Sequence, residues 1–307
     1  MIKERLLSAD IHSNGLVEDV YLISPNNSGD GTVQLALTHL SKQYSQAGMP
    51  LVLIHGQFSN RSTWFDQSGG GFAEHLAKLG YDVWMPEMRG HGLSPENQNF
   101  QSNSLADYVN YDLPAVQTYL LARLDYPAVW FGYGLSGLAL SMAVAKESLD
   151  VNKIRGLVLL GLDDPRGAWR SSSLARLLNW RERKKGYIES DLIAGSLEPE
   201  AYGVIHGGNP LRSANGAAAY ASQQEYKKQL AQATVPLLML EDAAQETDQY
   251  IGAAKVLQYW GGSQKSLERY AFADSERSML TSDEAMKSVE RWLTRLYEDD
   301  CQLFQSA

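Results

Sequence analysis

The chain has 307 residues, 44% of them hydrophobic and 21% charged, with 27 Lys and Arg against 36 Asp and Glu and a formal net charge of −9. That length can bury a sizeable core as one large α/β domain or two small ones, and the acidic balance argues against a nucleic acid or an anionic membrane as partner, since both are gripped by basic surface. A single cysteine, Cys301, excludes an internal disulfide and fits a reducing cytoplasm.

The first residues, MIKERLLSADIHSNG, carry charges but no apolar stretch of the signal-peptide kind. Nowhere does an apolar run approach the roughly 20 residues of a membrane span. Residues 15–23 and 32–37 read as two strands joined by the turn-rich SPNNSGDG, a hairpin. After the polar stretch 41–49 comes a short buried-type strand, 51–54, that runs into His55-Gly56. From there strands alternate with helical patterns: a helix at 72–79, a strand at 81–85, and a helix over 105–124 with Pro114 as a possible kink. Strands follow at 128–131 and 154–160.

Residues 163–234 break the alternation. They are polar, with a basic run from Arg181 to Lys185, the pair Gly207-Gly208 and an alanine-rich stretch at 217–221. The expectation is a core formed by 1–162 and 235–307, with 163–234 inserted as a cap over the carboxyl edge of the sheet. The alternation resumes with a strand at 236–240, a helix near 251–260 and a strand at 266–272. A last helix is capped by Ser282-Asp283-Glu284, with Met286, Val289, Leu293 and Leu296 close to helical spacing. Strands alternating with helices predict an α/β fold, a mostly parallel twisted sheet with helices on both faces.

The most informative stretch is VWFGYGLSG, residues 129–137, where an apolar strand enters a glycine-dense turn and then an apolar helix at 138–145. LVLIHGQFSN (51–60) is a strand ending in His-Gly, and YDVWMPEMRGHGLSP (81–95) is a strand followed by an arginine-glycine turn. YDLPAV (111–116) lies in the helix before the glycine-dense turn, and ERSML (276–280) precedes the last helix. Together, in this order, these motifs resemble the α/β-hydrolase superfamily, in its bacterial lipase/esterase-like group, over roughly residues 50–297.

The resemblance implies the α/β-hydrolase fold and directs attention to three positions. At the family's nucleophile elbow, G-x-S-x-G, a strained strand-to-helix turn exposes a serine. Here Gly132, Gly134 and Ser136 occupy the three places, so Gly134 stands at the nucleophile. The acid position falls at Gln245, with Asp242 and Asp248 nearby, and the histidine position falls at Glu276. Independently of alignment, the six histidines are His12, His39, His55, His75, His91 and His206, and none follows residue 206. A serine hydroxyl needs an adjacent base to attack.

The substitutes have competing readings. Ser136 with Asp248 or Glu276 is the fallback constellation. The plainer readings make Ser136 a small packing residue or a hydroxyl satisfying helix-terminal N–H groups, and make Glu276 a solvated or ion-paired loop carboxylate. His55, Gly56, Gln57, Phe58 and Leu135 are expected to line the pocket and oxyanion loop, with a structural role as the alternative for His55. His91 and His206 have no close ligand partners in sequence, so no metal is expected, and no cofactor. Gly69–Gly71 lacks dinucleotide-loop spacing. Trp169 and Trp180 are candidates to line a pocket or to pack the cap on the core. The expected function is a degenerate-triad binding protein or pseudoenzyme for a small apolar or acyl-type ligand. An unorthodox serine hydrolase and a scaffold with a protein partner are the alternatives.

Overall fold

The computed structural model describes residues 2–43, 48–65, 71–124, 126–162, 180–192, 196–207, 217–243, 253–271 and 277–305. The chain opens with three antiparallel strands, β1 (Lys3–Ile11), β2 (Leu16–Ser24) and β3 (Leu35–Lys42). The expected hairpin is the β2–β3 pair, and β3 runs on through Lys42, into the stretch read as polar. Burial explains the extension: Leu37 and Leu40 are inside. The imidazole of His39 also stacks on Trp84, with ring centroids 4.2 Å apart, and its Nε2 lies 2.5 Å from Asp82 Oδ1.

Six parallel strands follow: β4 (Pro50–Ile54), β5 (Asp82–Pro86), β6 (Ala128–Tyr133), β7 (Ile154–Leu160), β10 (Leu237–Asp242) and β11 (Lys265–Tyr270). The nine strands form one sheet in the order β1-β2-β3-β5-β4-β6-β7-β10-β11. Every residue of β4, β5 and β6 is buried, as a parallel strand covered on both faces requires. On one face pack helices α1 (Phe72–Lys78) and α8 (Asp283–Gln305), through Phe72, Leu76, Val289 and Leu293. On the other lie α2 (Leu113–Leu121), α3 (Leu135–Ala145), α5 (Ala217–Gln232) and α6 (Ala253–Tyr259), with Leu113, Leu138, Leu230 and Val256 in the core. Two shorter helices are α4 (Tyr202–His206) and α7 (Arg277–Thr281).

The helical pattern over 105–124 is interrupted where Pro114 predicts a kink. A widened π turn, Tyr108–Asp112, precedes α2, and the Leu113 N–H reaches back to the Tyr108 carbonyl. Proline has no N–H for the regular bond and its ring crowds the preceding turn; the extra residue in the turn absorbs both effects.

Between residues 180 and 207, a two-stranded sheet pairs β8 (Tyr187–Ile188) with β9 (Glu200–Ala201). Helix α5, in the alanine-rich region, lies along α3, where the Tyr226 and Ser141 hydroxyls stand 2.9 Å apart. It buries Tyr226 and Leu230 in the core, and tertiary packing of this kind is what fixes a helix of weak intrinsic stability.

Candidate functional site

Strand β6 ends at Tyr133 and α3 begins at Leu135, leaving Gly134 alone at the turn with φ 54° and ψ −124°. Two glycines flank it for steric reasons. A Cβ on Gly132 would stand 2.6 Å from the Gly137 Cα, and a Cβ on Gly137 would stand 2.7 Å from Leu162 Cδ1. Helix and strand thus meet backbone to backbone, and the residue that permits this is Gly137, one place beyond the Ser136 position of the sequence motif.

Beside the turn lies the loop that leaves β4. Gln57 folds its amide back over the elbow, and its Oε1 accepts the Leu135 N–H at 2.8 Å. A Cβ on Gly134 would stand 2.5 Å from the same oxygen. A side-chain carbonyl therefore occupies the space in front of the elbow and satisfies the first free N–H of α3, a group left without an intrahelical partner.

Ser136 faces away from this space. It is 4% exposed, and its hydroxyl donates to the His55 carbonyl at 2.6 Å. His55 is buried as well: Nε2 accepts the Met88 N–H at 3.1 Å, which leaves Nδ1 to donate to the Gly56 carbonyl at 2.8 Å. Burial, with His91 nearby, pushes its pKa down to about 3, so the ring is neutral and tied by both nitrogens.

A strand-turn-helix elbow thus stands at the carboxyl end of a mostly parallel sheet, facing a His-Gly loop. Residues 49–298 match the α/β-hydrolase fold family. The chain belongs to that family. Lipase member M of Mus musculus is 32% identical over 128 residues, which cover 38% of this chain and 28% of the mouse protein. A tear acid lipase-like protein of Mesocricetus auratus is 28% identical over 154 residues, 47% of this chain and 37% of that one. The matches therefore span well under half the length of these relatives. Among solved structures, a putative lipase from Sulfolobus solfataricus superposes with a TM-score of 0.62 at 13% identity, covering 95% of this chain and 99% of that one. A thermophilic esterase from Thermogutta terrifontis gives 0.56 at 17% identity, with 88% and 96% covered.

With the α/β-hydrolase fold in hand, the candidate residues divide into those gathered at the elbow and those elsewhere. His55, Gly56, Gln57, Phe58, Gly134, Leu135 and Ser136 are brought together there. Asp242 closes β10. Gln245, Asp248 and Glu276 lie outside the described residues, as does Trp169; Trp180 is 56% exposed beneath the Lys184 ammonium. Among the described residues no group of three His, Cys, Asp or Glu side chains is placed to hold a metal ion, and no helix is long and apolar enough to cross a membrane.

Phe58 carries the most constrained backbone of the loop, a non-glycine residue at φ 55°. Its carbonyl accepts the N–H groups of Leu197 and Glu198 at 2.9 and 3.1 Å, and its own N–H donates to Glu200 Oε2 at 3.2 Å. Glu200 reaches His91 of the arginine-glycine turn, Oε2 to Nε2 at 3.1 Å, and accepts from the Tyr108 hydroxyl at 3.3 Å. The imidazole N–H is not aimed well enough for a hydrogen bond, so the contact is an ion pair at close range. Burial works against charging His91, and the Glu200 carboxylate outweighs it, lifting the pKa to about 9. Next to it, Arg89 grips Asp112 through Nε and Nη2, at 3.0 and 2.6 Å, both residues buried.

Sequence reasoning missed this buried network and the placement of the Gln57 amide. No local pattern links residues 58, 91 and 200, and only a buried glutamate beside an Arg-Gly-His turn hints at a pair. A cleft of about 690 Å³ opens between residues 96–102 on one side and Tyr187, Glu189, Ser190, Asp191 and Pro199 on the other. Gly134, Gln57 and Leu135 are not among its described lining residues.

Proposed function

We propose that this α/β-hydrolase-fold protein has no serine-hydrolase chemistry and serves as a binding protein for a small apolar or acyl-type ligand at the carboxyl edge of the sheet. The observation that carries the reading is the occupancy of the elbow. Glycine stands at its tip, and Gln57 Oε1 holds the Leu135 N–H that would stabilise an oxyanion. The histidine content supports it, since none follows His206 to serve as a base late in the chain. Ligands of this fold class gather at the carboxyl ends of the strands, where the elbow stands.

A second reading, a hydrolase of ester substrates, is favoured by the names of the relatives and solved structures, lipases and esterases throughout. It needs a nucleophile other than residue 134, and Ser136 is buried with its hydroxyl bonded to a carbonyl. Treatment with a fluorophosphonate probe and a panel of p-nitrophenyl esters separates the two. No labelling and no turnover, with thermal stabilisation by a medium-chain fatty acid or its ester, are expected. Stoichiometric labelling that disappears in Ser136→Ala would establish the hydrolase instead.

A further inference from the structure

Strand β1 forms one edge of the sheet, and its nine residues are almost wholly uncovered. Leu6, Leu7 and Ile11 are 52%, 39% and 66% exposed, a third of the nine large hydrophobic side chains so exposed among the described residues. Long exposed edge strands present unpaired N–H and C=O groups that invite another strand. Three apolar side chains on such an edge add area to be buried.

The pairing of β1 with β2 fixes which of its backbone groups face outward. His12 donates its N–H to Leu16 at 2.8 Å. Because antiparallel residues alternate between bonded and non-bonded pairs, Asp10 and Ser8, opposite Glu18 and Val20, also turn their backbone groups toward β2. A bulge lies between Leu6 and Ser8, after which Arg5 and Lys3, opposite Leu22 and Ser24, resume the inward set. The outward set is therefore Glu4, Leu6, Ala9 and Ile11. Bulging changes its spacing at the middle of the strand, and makes the set symmetrical about a point between Leu7 and Ser8.

We propose that β1 pairs antiparallel with β1 of a second copy of this chain, about a two-fold axis at the bulge, so that the two sheets become one. Only one register mates all four outward residues with outward partners: Glu4 with Ile11 and Leu6 with Ala9, each twice by symmetry. The same register sets Arg5 of each copy opposite Asp10 of the other, and Lys3 opposite His12. Neither Arg5 nor Asp10 takes part in an ion pair within the described chain, and both are exposed. Opposite charges directly across an antiparallel pair stabilise it, and like charges oppose it. Slipping the register by one residue loses this match and puts outward groups against inward ones.

Analytical ultracentrifugation of the full chain at micromolar concentration tests the proposal. Twice the chain mass is expected. Arg5→Asp puts aspartates opposite each other at both ends of the interface, and Asp10→Arg does the same with arginines; each raises the dissociation constant by at least about tenfold. The double variant Arg5→Asp/Asp10→Arg restores the opposite charges and the dimer. Circular dichroism confirms that each variant is folded, which these exposed sites allow. A monomeric wild type overturns the proposal, as do single variants that dimerise like wild type or a double variant that stays monomeric.

Discussion

Gln57 Oε1 and the Leu135 N–H are 2.8 Å apart, and that contact closes the elbow from within. An acyl oxygen seeking the same N–H must displace an amide already held by the chain. Gly134 makes the contact possible, because a Cβ there would crowd the Gln57 oxygen at 2.5 Å. The elbow thus combines a turn relaxed by glycine with a donor already satisfied.

Gly134→Ser is expected to lower stability by about 1–3 kcal/mol, since serine must adopt φ 54°, ψ −124° and push Gln57 aside. No esterase activity should appear. Denaturant unfolding and a p-nitrophenyl acetate assay check both halves; an unchanged midpoint or clear turnover would count against the account of the elbow.

Gly132→Ala should be strongly destabilising for a single-methyl change. Its Cβ meets the Gly137 Cα at 2.6 Å and the Gly137 nitrogen at 2.7 Å, and overpacking of this kind costs about 1–3 kcal/mol. Gly29→Ala, with nothing within 4 Å of the added carbon, is the matched control. Equal melting temperatures for the two variants would contradict the backbone contact.

The His91–Glu200 pair makes stability depend on pH with a definite sign. His91 titrates at about 9 when folded, against about 6.5 when free. Its contribution is full below 6.5 and is lost as pH rises through 9, because the folded chain then holds the extra proton. His55, at about 3, acts on the other side: as pH falls below 6.5 the unfolded chain binds a proton the folded chain refuses, and stability drops. Urea midpoints should peak near pH 6.5 from these two groups. His91→Gln should flatten the alkaline limb and His55→Gln the acidic one; a variant with the wild-type slope would remove its histidine from the explanation.

Glu200→Ala should be far more costly than an exposed carboxylate change. It strands a buried imidazolium, the Tyr108 hydroxyl and the Phe58 N–H together, and breaking a buried pair by removing one member costs about 3–5 kcal/mol. Glu96→Ala, on an exposed loop, is the comparison. Chemical denaturation of both variants decides it.

The sequence alone was enough for the architecture of the parallel core. Strands 51–54, 81–85, 128–131 and 154–160 are near-continuous apolar runs between turn residues, and such strands are stabilised wherever both faces are covered, so local composition specifies them. The same held for the elbow, where the glycines of FGYGLSG mark the tight turn, while at Pro114 the structure has a π turn, Tyr108–Asp112, ahead of the helix. Strand β1 was not legible: KERLLSADI has no buried face, and it is a strand only because β2 offers backbone partners. Helix α5 likewise depends on packing against α3. At the site, sequence named Gly134, Gln57 and Ser136 but not what their side chains do. Whether an amide turns toward a helix terminus, or a hydroxyl toward a carbonyl, is set by which partners lie within hydrogen-bond reach. The partners of Leu135, Ser136 and His91 come from residues 57, 55 and 200. Contacts between residues so far apart in sequence exist only after the sheet has brought their strands together, and they leave no local pattern to read.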